Sequence, residues 1–159
     1  MKAVKRWRYY CDFCKKAGNS GFHLAKHEKS CTLNPQRECG HCAKRGTPTT
    51  PMADMLALLP DPSSCMSVFP GESYGFDREP DRTDFDSVKV DTALSTALPA
   101  LRELTENCPT CILAAFRQKG IPLPLVSDFN YSEELKAFWN EANDREHENE
   151  PAIYGRMVT

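Results

Sequence analysis

Apolar residues recur at helical spacing most clearly in the C-terminal half of the chain. Leu94, Leu98, Leu101 and Leu104 form one stripe and predict a helix over 88–107, with Pro99 as a candidate break. A second helix is predicted over 111–119, where Ile112-Leu-Ala-Ala-Phe116 leads to a stop at Gly120. Ile121-Pro-Leu-Pro-Leu-Val126 is expected to be extended, because prolines at alternate positions cannot donate to a central ladder. Asn130-Tyr-Ser-Glu133 reads as a capping box opening a third helix that runs to about His147. Leu135, Phe138, Trp139 and Ala142 share its apolar stripe, which is expected to pack on a core.

Upstream the pattern weakens. Met52-Ala-Asp-Met-Leu-Ala-Leu-Leu59 has room for two helical turns before Pro60. The rest of 46–90 reads as loop, with prolines at 48, 51, 60, 62, 70 and 80, and 71–86 is expected to be extended or partly disordered. Phe69, Tyr74, Phe76 and Phe85 place this stretch along a surface, of this protein or of a partner. At the N-terminus, Tyr9-x-Cys11-x-x-Cys14 reads as a short hairpin. A helix follows from about Gly21 to Cys31, capped by Asn19 or Ser20.

Composition changes this picture in one respect. Of 159 residues eight are cysteine and twelve proline, and mean hydropathy is -0.54, so the apolar pattern alone gives a thin core. No apolar run approaches the ~18 residues of a membrane span. Met-Lys-Ala-Val-Lys-Arg-Trp-Arg is basic but leads into no apolar segment, so it does not read as a secretory signal. An intracellular, reducing setting is expected, where cysteines serve as metal ligands more often than as disulfides.

The cysteine spacing supplies the chemistry. Twelve residues separate Cys14 from His27, and three separate His27 from Cys31. Two thiolates on a tight turn, with His27 and Cys31 on one helix face, can close a tetrahedron around zinc. His23 is a competing ligand, one helical turn before His27. Residues 9–31 resemble the classical two-cysteine, two-histidine zinc-finger family in its variant with cysteine as the last ligand. Tyr9 stands two before the first cysteine and Leu24 three before His27, as in that family. The resemblance implies a ββα unit with a small core of an aromatic, a central aromatic and a leucine. Gly18 occupies the central aromatic position, so Phe22 or Phe13 is expected to fill the gap. The resemblance also places base-facing positions at Ser20, Phe22, His23 and Lys26. That set has no Arg for guanine and no Asn or Gln for adenine.

Cys39-Gly-His-Cys42 and Cys108-Pro-Thr-Cys111 are two further Cys-x-x-Cys turns, the latter opening a predicted helix. A knuckle paired with a helix-opening turn loosely resembles treble-clef and zinc-ribbon sites, which implies one four-cysteine zinc site from Cys39, Cys42, Cys108 and Cys111. Closing a long gap between the pairs costs only about 1 kcal/mol more than closing a short one. His41 is either a substitute ligand or, as expected here, solvent-facing. The competing chemistry is thiol redox at Cys108 and Cys111, since Cys-x-x-Cys at a helix start also resembles thioredoxin-like sites. Cys65 reads as a free or buried thiol.

Charge is divided unevenly. Residues 1–46 hold eleven Lys/Arg and three acids, and the remainder holds nine Lys/Arg and nineteen acids. The basic part is expected to meet nucleic acid or an acidic protein surface, through Arg6, Trp7, Arg8, Lys15, Lys16, Lys26 and Lys29. Trp7, Tyr9 and Tyr10 are candidates for stacking on unpaired bases. The alternative is a structural subunit of a larger assembly, in which zinc only staples the fold. Neither reading calls for enzymatic activity, a small-molecule substrate or a membrane. The expected fold is a small, metal-stabilised α+β chain holding two zinc ions. It divides into a ββα zinc finger (1–31), a basic zinc knuckle (32–46), a Pro-rich irregular linker (47–87), a helical region (88–148) tied back by the second zinc, and a tail (149–159).

Overall fold

The structure is a computed structural model that describes residues 7–75 and 77–148; Arg6 and the expected tail lie outside them. Two strands of two residues, β1 (Tyr9–Tyr10) and β2 (Ala17–Gly18), pair antiparallel and lead into α1 (Gly21–Ser30). Ser20 caps α1 by accepting the His23 N–H, which settles the choice between Asn19 and Ser20. Leu24, Cys11 and Cys31 form a small separate core beneath it. Phe13 and Phe22 are both exposed, so neither fills the place left by Gly18.

The larger core is helical. α2 (Gly40–Arg45) and α3 (Met52–Leu58) precede α4 (Ser87–Leu104), α5 (Pro109–Lys119) and α6 (Tyr131–Glu148). α4 runs through Pro99 without a break, because Leu94, Leu98 and Leu101 on one stripe are buried on both sides of it. Packing of that stripe outweighs the one backbone hydrogen bond that a proline removes. α5 is the centre of the core: Ile112, Leu113, Ala114, Ala115 and Phe116 are all buried. Met52 and Met55 of α3 and Phe129 close around it. On α6, Phe138 is buried while Trp139 is partly exposed. Asn130 caps α6 by accepting the N–H groups of Ser132 and Glu133.

Two expectations are corrected. Residues 121–126 are not extended throughout: Leu123–Leu125 make a 3₁₀ turn, and Ile121 and Val126 at its ends are buried in the core. Proline fits the start of such a turn, since its missing N–H is unpaired there anyway. The stretch read mostly as loop carries a β-ribbon, and of the two alternatives for 71–86 the extended one holds at its strands. β3 (Met66–Phe69) pairs with β6 (Arg82–Phe85), and β4 (Ser73–Tyr74) with β5 (Asp77–Arg78), in one continuous register. Pro70 and Pro80 interrupt the ladder between the two sections, and Gly75, at φ 64, turns the tip. Gly71 is required by close approach, since a Cβ there would lie 1.9 Å from the Glu79 carbonyl oxygen. Asp86 anchors the ribbon to α4: it caps the helix through Val88 N–H and accepts from the Ser67 hydroxyl. The Ser67 hydroxyl, followed by these backbone donors, holds the Asp86 carboxyl below the usual carboxylate range.

Candidate metal centres

Cys11, Cys14, His27 and Cys31 come together, with all four ligand atoms within 4.8 Å of one another. The hairpin delivers the first pair. Cys11 N–H bonds the Lys16 carbonyl, closing the turn, and Lys16 N–H points at the Cys14 sulfur. That N–H is the main reason the Cys14 thiol sits below its ordinary pKa. α1 delivers the second pair: His27 turns its Nε2 to 3.3 Å from Cys14 Sγ, and Cys31 ends the helix as its C-cap. Burial, helped by the charge of Lys16, lowers the His27 pKa and favours the neutral imidazole that ligates metal. His23 is exposed and outside the cluster, so the fourth ligand is settled in favour of His27.

The second cluster joins Cys39, Cys42, Cys108 and Cys111 across the fold. Cys39 Sγ lies 3.6 Å from Cys108 Sγ, and Cys42 Sγ lies 3.6 Å from Cys111 Sγ. Zinc–sulfur bonds of about 2.3 Å at the tetrahedral angle put sulfurs about 3.8 Å apart, whereas a disulfide needs about 2.0 Å. The two halves are built alike. Cys39 is the N-cap of α2 and Cys108 the N-cap of α5, with Cys42 and Cys111 in the following turn. The turn before Cys108 is strained, for Glu106 and Asn107 both adopt positive φ. Arg45 fixes it by donating to the Glu106 carbonyl at 2.8 Å. All four cysteines are buried. Crowding separates their proton affinities. Hydrogen bonds led by Cys108 push Cys39 far down, and the same neighbour pushes Cys42 and Cys111 far up. Four sulfurs this close cannot all ionise unless a cation joins them.

The donor sets fit zinc: three or four thiolates, at most one imidazole, and tetrahedral spacing with no ligand position left open. The chain therefore holds two zinc ions, one in each cluster. No protein-family profile, curated protein or solved structure matches the chain, so the assignment rests on this geometry.

Two residues beside the second site take roles that their spacing did not reveal. Arg37 is buried and donates from Nη1 to Cys111 Sγ at 3.5 Å. Burial opposes its charge, but charge and hydrogen bonding with Cys39 and Cys111 more than compensate and raise its pKa. A zinc ion with four thiolates carries a net charge of about -2, and Arg37 places a compensating cation against it. His41 is not solvent-facing. Its ring packs edge-on against Phe138 and Trp139, at centroid distances of 4.9 and 5.4 Å, and its Nδ1 pairs with the Thr110 hydroxyl. His41, just before Cys42, thus ties the knuckle to α5 and α6.

The segment between the sites is also fixed. Asn34 donates to the Glu28 carbonyl at 2.8 Å, and Gln118 of α5 donates to the carbonyls of Thr32 and Asn34. Of the expected contact residues, Trp7, Arg8, Lys15, Lys16, Lys26 and Lys29 are all exposed on the β1–β2–α1 unit, called the finger below. No helix among the described residues is long and apolar enough to cross a membrane.

Proposed function

We propose that this zinc-binding protein is an adaptor whose N-terminal finger binds nucleic acid without sequence specificity, through phosphate contacts. The observation that carries this reading is the exposed cationic surface of residues 7–31, set on a chain whose remainder is strongly acidic. Lys15 and Lys16 extend from the hairpin, and Lys26 and Lys29 from α1. Such side chains displace counterions from a phosphate backbone, and the release drives binding. Sequence reading by α1 is disfavoured, because its outward positions hold no Arg, Asn or Gln and Lys26 alone could read a guanine. The two zinc sites serve the fold rather than a reaction, since every ligand position is taken by protein.

The test is binding of zinc-loaded protein to nonspecific DNA and RNA over a range of salt. Affinity should fall linearly on a double-logarithmic plot, with a slope reduced by about one for each lysine replaced by glutamine. Absence of binding at low salt would remove this reading. The alternative, a structural subunit of an assembly, draws on the exposed Val68 and Val88 of the ribbon and α4. It predicts self-association by light scattering, and a clean monomer counts against it.

A further inference from the structure

The N-terminal unit departs at Gly18 from the zinc-finger pattern it resembles, and the structure shows what that departure leaves. The strand register sets Gly18 directly across from Tyr9. A Cβ built on Gly18 meets nothing within 4 Å. One side of the Tyr9 ring rests on the start of α1, where a Cβ on Gly21 would lie 3.3 Å from it. The opposite strand offers the ring no cover, and Tyr9 is 46% exposed. Phe22, the residue after Gly21, is 76% exposed, and Trp7 is 86% exposed.

We infer that Tyr9, Trp7 and Phe22 form a stacking platform for unpaired bases, so that the finger's ligand is single-stranded nucleic acid rather than duplex. The inference rests on the nucleic-acid reading above and narrows it. Exposed aromatic rings among cations have two complementary uses: the cations take phosphates and the rings take base faces. Arg8 lies on the same hairpin and Lys26 one helical turn after Phe22, within reach of a backbone whose bases stack on the rings. Paired bases hide their faces inside the stack, so a duplex can satisfy the cations only.

The experiment compares four probes on the full zinc-loaded chain at one salt concentration. They are a single strand of about twenty nucleotides, its duplex, heparin and polyglutamate. The single strand should bind about tenfold tighter than the duplex, with quenching of tryptophan fluorescence. Trp7→Ala and Phe22→Ala should each weaken single-strand binding about fivefold or more, leaving heparin binding and zinc content unchanged. Gly18→Phe should weaken it likewise by covering Tyr9, while raising the thermal stability of the finger. Equal affinity for single strand, duplex and heparin, untouched by the aromatic variants, would overturn the platform and leave phosphate binding standing. Polyglutamate binding as tight as the single strand would overturn it in favour of an acidic protein surface. No binding to any of the four would remove the underlying reading as well.

Discussion

The finger site and the core site bind the same metal with nearly the same ligands and opposite surroundings. Around the first, Leu24 is, among the described residues, the one buried apolar residue beside the cysteines, and Cys14 and His27 are partly exposed. Around the second, twenty of the described residues, from four helices and their connections, form one continuous buried cluster that includes all four cysteines. In the finger, metal replaces a core that a segment of this size cannot supply. In the helical region, metal closes a core that burial already favours, and it joins two chain segments far apart in sequence. The same chemistry thus serves once as the nucleus of a small unit and once as the keystone of a larger one.

The largest effect should come from breaking the core site. Cys39→Ser or Cys111→Ser leaves buried thiolates without their cation. Zinc binding of about 10–16 kcal/mol is as large as the whole net stability, about 5–15 kcal/mol, of an ordinary domain. Loss of the cooperative melting transition, followed by circular dichroism, is the expected outcome. A melting midpoint close to wild type would show that the helical core does not depend on its metal.

Much of this contrast could be read in advance, and the unread part has a physical reason. Cysteine spacing marks both sites, because ligands on a turn must stand two apart and ligands on a helix must share a face. Arg37 escaped because no periodicity marks a buried arginine: its partner, Cys111, is 74 positions away and the contact exists only once the chain is folded. His41 escaped for the same reason, since its aromatic neighbours lie on α6. The ribbon of 66–85 escaped because β3, Met66-Ser-Val-Phe69, is mostly half-buried without alternating and its partner β6 is polar and exposed up to Phe85, so no alternation of buried and solvated positions records the strands. Its prolines, read as loop signals, fall where the ladder pauses. Helices α3 to α6 were legible because their stripes are buried in the core, whereas α2, six residues with Cys42 alone buried, has no stripe to read and was expected only as a knuckle.

A smaller effect should follow from changing what surrounds the core site without touching its ligands. Arg37→Met removes the cation beside Cys111 while keeping much of the buried volume. A loss of about 3 kcal/mol is expected from leaving the anionic cluster uncompensated. The urea midpoint should fall, and zinc should pass faster to a chelator. An unchanged midpoint would mean that Arg37 packs there without balancing charge.

The smallest effect on the core should come from the finger. Cys11→Ser should release amides 9–30 to rapid hydrogen exchange while α4 and α5 stay protected. A few polar contacts, those of Asn34, Arg37, Arg117 and Gln118 among them, join the segment after the finger to its neighbours, so the core transition should shift by about 1 kcal/mol or less. Collapse of protection in α5 would show that finger and core fold as one unit.

The central claim, two separate zinc sites with the ligands named above, is tested most directly by counting metal. Zinc per chain should be two in the wild type, one in Cys11→Ser and at most one in Cys108→Ser, measured by native mass spectrometry on freshly purified protein. One zinc in the wild type, lost in Cys11→Ser and kept in Cys108→Ser, would contradict the account. It would leave Cys108 and Cys111 as a thiol pair free for redox chemistry.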